Sequence, residues 1–366
     1  MGTTAQKLQA ALGGKEDVRQ AINEKGVELT ASTPLSDYGD KIRSIQAVGI
    51  PLNITANGEY TTPDSRGGFN PVIVNVPQGL MLPTIRTFTL PSSRTFNTSQ
   101  IYNDKLYMPQ SAGQWLDIFD LTTETTRSIN LVNTAVKNTS QIYNGKLYIP
   151  QSGGTALYIF DLTTETMRTV TIGSGTRNTS QIYNGKLYMP QSGGTALDIF
   201  DLTTETMRTV TIGSRNRNTS QIYNDKLYMP QQGSTILEIF DLVAETMRTF
   251  ALSSTGNRQT SQIYKDKLYM PIDGGTALEI FDLVAETTRI FSLPSNPYRR
   301  TSQIYNGKLY MPSYTGGLLE IFDFATESVL YAHNLLAARQ RATSQIYNGK
   351  LYTPPSSSAL LEVFDL

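Results

Sequence analysis

The sequence predicts an all-β protein. The expected architecture is a seven-bladed β-propeller of four-stranded blades, closed by pairing strands from its amino- and carboxyl-terminal ends and preceded by a small α-helical segment and a short β module. Three observations carry this prediction. First, a phrase of the form Thr-Ser-Gln-Ile-Tyr, two turn residues, then Lys-Leu-Tyr recurs seven times, its glutamine falling at Gln100, Gln141, Gln181, Gln221, Gln262, Gln303 and Gln345, with 40 to 42 residues between copies. A period of that length in β-forming sequence is the signature of radially arranged four-stranded sheets. Second, every copy is rich in β-branched and aromatic residues and is broken every few residues by turn signals, which argues against helix. Third, the last copy stops one strand short, and a matching run stands before the first.

One copy shows the elements in order. Thr179 to Tyr183 reads as a short strand, and Asn184-Gly185 as the two-residue turn favoured in hairpins. Lys186 to Pro190 is the second strand, and Ser192-Gly193-Gly194-Thr195 breaks the chain. Ala196 to Leu202 is the third strand, Thr203-Thr204-Glu205 turns again, and Thr206 to Ile212 is the fourth. The seventh copy ends at Phe364-Asp365-Leu366 without a fourth strand, whereas Thr84–Leu90 matches Thr206–Ile212 in type and spacing. That segment is expected to complete the last blade, protecting the sheet edges by closing the ring.

Ahead of the propeller, which occupies 83–366, two further segments are expected. Residues 1–47 carry helix-like spacing at Lys7–Leu12 and Glu16–Ile22, and again after the cap and proline Thr33-Pro34. Helices this short are marginal alone and need a partner, within the chain or between chains. Residues 48–82 read as a small β connector with a Gly-rich centre.

Composition excludes several classes of function. Lys plus Arg equals Asp plus Glu at 31 each, so no global field favours nucleic acid or an anionic membrane. Cysteine is absent, which removes disulfides, thiolate nucleophiles and zinc–thiolate sites. His333 is the only histidine, so a multi-histidine metal site is impossible. No metal or other cofactor, no nucleic-acid partner and no membrane insertion is expected. The start of the chain lacks the basic-then-apolar layout of a secretory signal, which predicts synthesis in a cytoplasm without export by that route.

The blades resemble Kelch-type and related propellers, whose repeats carry a phrase like Asn184-Gly185-Lys186-Leu187-Tyr188, then Gly193-Gly194, then Phe200-Asp201-Leu202. The likeness covers about 83–366, departs at the fourth strand, where Met or Thr replaces the usual tryptophan, and implies a fold rather than an activity. Residues 3–77 resemble the amino-terminal modules of structural proteins from tailed bacteriophages. The stretches that carry this likeness are TTAQKLQAALGGKEDVRQAINEKGVEL and NITANGEYTTPDSRGGFNPVIVNVP. This second resemblance implies a virion component, a tail or head fibre on the particle surface. Residues 1–82 would then meet other virion proteins or form a homo-oligomer such as a trimer, and the propeller would bind a host-surface glycan or anionic polymer. It carries no catalytic motif, and a non-enzymatic role is expected. The alternatives are a virion decoration without ligand and a polysaccharide-degrading enzyme.

Between copies the framework barely changes. The acids Asp120, Asp161, Asp201, Asp241, Asp282, Asp323 and Asp365 recur at one position and read as turn or ladder-end partners, not as a catalytic pair. Variation concentrates in the loop after the second strand and the loop after the fourth, as in Ser313–Gly317 and Pro294–Arg300. In a four-stranded meander both loops emerge at one end, so all varied loops share a face, the usual place for binding on a rigid scaffold. Four residues before each glutamine stand Phe96, Lys137, Arg177, Arg217, Arg258, Arg299 and Arg341. The six basic ones are expected near the channel mouth, either as a ring for an oxyanion or as partners of local acids. Trp115, Tyr298 and Tyr314 add aromatic surface in the varied loops, for stacking on sugars or for packing.

Overall fold

The computed structural model describes 58–60, 72–74, 85–132, 134–336 and 339–366. The chain divides into two compact units, 1–82 and 83–366. In the first, Gly58–Tyr60 pairs antiparallel with Val72–Val74. The helices expected over 1–47 lie outside the described residues.

The second unit is a seven-bladed propeller. Its seven four-stranded sheets are antiparallel meanders, and the described residues contain no helix. In blade 3 the strands are Gln181–Tyr183, Lys186–Pro190, Ala196–Asp201 and Met207–Thr211. The first lies innermost, and its Gln181 pairs with Tyr188. The Asn184-Gly185 turn has positive φ at both residues, 46° and 69°, as a tight hairpin matched to strand twist requires. The later Glu205 also sits at positive φ, 58°. This costly backbone is held by Asp201, whose Oδ1 accepts the N–H groups of Thr203 and Thr204, both at 2.9 Å. The same device recurs at Asp120, Asp161, Asp241, Asp282 and Asp323, so these acids serve turns, as expected.

The core lies between blades. Alternation puts Leu187 and Met189 on one face of the second strand and Tyr188 on the other. Leu187, Met189, Phe200 and Leu202 pack on Tyr148, Leu157, Ile159 and Ile172 of blade 2, while Tyr188, Leu197 and Ile199 face blade 4. The two middle strands are therefore apolar on both faces, and neighbouring blades are buried against each other. A Phe→Ala change at such a site costs about 3–5 kcal/mol.

The ring closes between the two ends of the propeller sequence. Ile85–Thr95 forms the fourth strand of blade 7, pairing Ile85 with Phe364 and Phe88 with Leu361. It runs on past the expected Leu90 to Thr95. The seam between blades 7 and 1 repeats bonds made elsewhere: Ser99 Oγ meets Thr343 Oγ1 at 2.9 Å, and Gln345 Nε2 donates to the Ser99 carbonyl at 2.7 Å.

Candidate functional site

The seven Thr-Ser-Gln triplets line a central pore with a cavity of about 170 Å³. Each threonine hydroxyl meets the serine hydroxyl of the next blade, as Thr139 Oγ1 meets Ser180 Oγ at 2.8 Å. Each glutamine amide donates to the next serine carbonyl, as Gln141 does to Ser180 at 2.7 Å. The lining is neutral and stitches blade to blade.

Around it lies the basic series, but not as a rim. Lys137, Arg177, Arg217, Arg258, Arg299 and Arg341 are 0–1% exposed. Each arginine folds under the third strand of its own blade and pairs with an acid there: Asp198, Glu238, Glu279, Glu320 and Glu362 respectively. Arg217 is bidentate to Glu238, Nε at 2.6 Å and an Nη at 2.9 Å, and its other Nη donates to the Gln191 carbonyl at 2.8 Å. Lys137 donates to the carbonyls of Gly113 and Ala135 at 2.7 and 2.8 Å, and burial pulls its pKa down to about 8. The guanidiniums are thus consumed by carboxylates and loop carbonyls: of the two readings the sequence left open, pairing with local acids holds for the five arginines, and the open cationic ring is instead an internal belt. In blades 3 to 7 the acid stands 21 residues downstream of its arginine, a spacing visible in the sequence. Blade 1 solves the problem differently: Phe96 takes the basic position, and Arg94 reaches Asp117.

The aromatic residues separate. Trp115 is partly buried in blade 1, with the Arg94 guanidinium 4.9 Å from its ring centroid. Tyr298 and Tyr314 come together between blades 5 and 6, where the Tyr314 N–H donates to the Tyr298 carbonyl at 2.6 Å.

That sector breaks the symmetry of the mouth. In blades 1 to 4 the residue after the belt position is asparagine, and the amides form a ladder from Asn97 to Asn138 to Asn178 to Asn218, each step 2.8–2.9 Å. In blades 5 to 7 the position holds Gln259, Arg300 and Ala342. Arg300 is exposed, with its guanidinium carbon 3.7 Å from the Tyr314 ring centroid, and the Tyr314 hydroxyl donates to Gln340 Oε1 at 3.0 Å. Tyr298 is 54% exposed and lies on Gly274, where a Cβ would come within 3.1 Å of the ring. Asp273 closes the inner side: it accepts the Arg299 backbone N–H, burial raises its pKa, and its Oδ1 is buried with no hydrogen-bond partner. Arg300, Asp273 and Gln340 were not singled out in the sequence, although their departure from the repeat marks them.

Among the described residues no group of three or more His, Asp or Glu side chains could hold a metal ion, and no helix is long and apolar enough to cross a membrane. No protein-family profile and no curated protein matches the chain. Solved structures do. A selenomethionine form of virginiamycin B lyase from Staphylococcus aureus aligns with a TM-score of 0.67 at 8% identity, over 78% of this chain and 99% of that one. A catalytically inactive form of that lyase with quinupristin gives 0.69 at 9% identity over the same shares. The computationally designed Ika8 protein gives 0.58 at 8% identity, over 76% of this chain and 98% of its own. At these identities the likeness is one of fold, and the molecule is a β-propeller whose architecture is compatible with ligand binding.

Proposed function

We propose that the protein is a non-enzymatic structural component of a tailed-phage particle, a tail or head fibre, whose propeller binds a host-surface glycan through its loop-bearing face. Residues 1–82, with their resemblance to phage structural modules, are assigned the contacts to other virion proteins and the formation of a homo-oligomer. Several copies would then convert weak single contacts into avid attachment. The reading places the protein on the virion surface. It rests above all on one observation: a framework repeated seven times departs from its repeat in the blade 5–6 sector of one face, where Tyr298 and Arg300 are exposed. A non-enzymatic role is supported by the commitment of the recurrent acids to turns and to buried ion pairs.

The test is adsorption of the fluorescently labelled full-length chain to a panel of Gram-positive and Gram-negative cells, with and without prior stripping of surface polysaccharide by periodate. Binding to a subset of strains, lost on stripping, is the expected result. Adsorption to none would point to a decoration without ligand. Release of reducing sugar from the bound polysaccharide would show an enzyme instead.

A further inference from the structure

We infer that the loop-face mouth between blades 5 and 6 binds an acidic sugar, with Arg300 taking the carboxylate and Tyr298 the apolar face of the ring. The inference names the ligand class and the sector of the receptor-binding reading above, and rests on that reading for its biological meaning.

The adjacent residues Arg299 and Arg300 show why this arginine differs from the belt. Arg299 points inward, is 0% exposed, and gives its donors to Glu320, Ile272 and Gly275. Arg300 and Tyr298 point the other way. No hydrogen bond or ion pair engages the Arg300 guanidinium among the described residues; the Tyr314 ring lies 3.7 Å below it, and the Asp273 carboxylate attracts it through space. Stacking covers one face of the guanidinium and leaves its edge, where the N–H fork lies, open to a planar carboxylate. The platform is itself held in place, since Tyr314 is tied through its hydroxyl to Gln340 and through its N–H to Tyr298. Binding would therefore freeze few rotors that are not already ordered.

Tyr298 supplies the second element. Its ring rests on Gly274, at φ 73°, where any side chain would push it away. An aromatic face held flat beside a free guanidinium suits a ligand that is apolar on one side and anionic at one end, as a uronic acid is. Asp273 attracts Arg300 without capping it: burial raises its pKa and the Arg300 charge and the Arg299 N–H bring it partly back down, but no ion pair or hydrogen bond joins its carboxylate to the Arg300 guanidinium among the described residues, so the fork stays open. In blades 1 to 4 the same position is an asparagine whose amide is spent on its neighbour, so those sectors offer no such fork.

The experiment titrates the full-length chain with trigalacturonate and, as a neutral control, maltotriose, by calorimetry and saturation-transfer NMR. Trigalacturonate is expected to bind in the millimolar range or tighter, with maltotriose much weaker. Arg300→Gln should weaken trigalacturonate at least about tenfold, the loss expected for a charge-assisted fork. Tyr298→Ala should reduce saturation transfer to the sugar ring protons. Arg215→Gln removes another exposed charge from the same face in another sector and should change nothing. All three sites are exposed, and thermal melts check that the fold is intact. The inference is overturned if the wild-type chain does not bind trigalacturonate, if Arg300→Gln binds as well as wild type, or if Arg215→Gln loses as much. Cell adsorption that persists while trigalacturonate fails would refute the acidic sugar and leave the receptor reading standing; trigalacturonate binding without adsorption to any cell would do the reverse.

Discussion

Arg208 and Arg217 are nine residues apart, and each is paired with a glutamate, yet the two pairs do different jobs. Arg217 and Glu238 are 0% and 3% exposed and tie a loop down onto its own blade. Arg208 and Glu245 are 47% and 40% exposed and reach across the outer rim from blade 3 to blade 4. The inner pattern recurs in blades 3 to 7, and the outer one at six of the seven seams. The same chemistry at a different depth carries different weight. In water the attraction of two exposed charges is nearly offset by screening and side-chain entropy. Under the loops, a carboxylate that loses its arginine has no water to replace it.

Three measurements would break or sharpen this contrast. The largest effect is expected at the inner belt. Arg217→Met leaves Glu238 buried and should cost about 3–5 kcal/mol in denaturant unfolding, while Arg217→Met with Glu238→Leu should recover most of the loss. A mild single variant would mean that the inner pairs are as weak as the outer ones.

An intermediate effect comes from blade 2, where Lys137 takes the arginine position and Tyr158 the acid position. With a folded pKa of about 8 against an ordinary 10.5, Lys137 resists protonation in the folded state. Below about pH 8 the lysine is charged in both states, and the full penalty is present. Between pH 8 and 10.5 the unfolded chain binds the extra proton, so stability rises with pH. Relative to Lys137→Met, wild type should gain on the order of 1 kcal/mol per pH unit within that window. A gap that stays constant from pH 7 to 10 would show the lysine is better solvated than its position indicates. The smallest effect is expected at the rim: Arg208→Gln should cost less than about 1 kcal/mol and shrink further in 1 M salt.

Much of this architecture was legible before any coordinates. The seven glutamines counted the blades, Asn184-Gly185 placed a hairpin, and the likeness of Thr84–Leu90 to Thr206–Ile212 foretold how the ring closes. The depth of the arginines was not legible. A basic residue in a loop reads as solvated, and only the fold brings Arg217 beneath the third strand. One clue was available: each belt arginine is followed 21 residues later by an acid, and in blade 2, where the acid becomes Tyr158, the arginine becomes Lys137. The candidate site was half visible. Tyr298 and Tyr314 stood out as varied aromatics, but Arg300, the last residue of a varied loop, did not stand out beside Arg299 of the basic series. Its free fork depends on the local alternation that turns Arg299 inward.

The strand Ile85–Thr95 is made early in synthesis but finds its partner only in Ser356–Asp365. While the nascent chain is still short of that partner, Phe88 has no Leu361 to pair with and the last blade lacks its outer edge. Loop closure over so long an intervening stretch is entropically costly and comes late. The torus therefore carries its own proofreading: a chain cut short within Ser356–Asp365 should yield a gapped ring with Ile85–Thr95 unclaimed, a form suited to proteolysis.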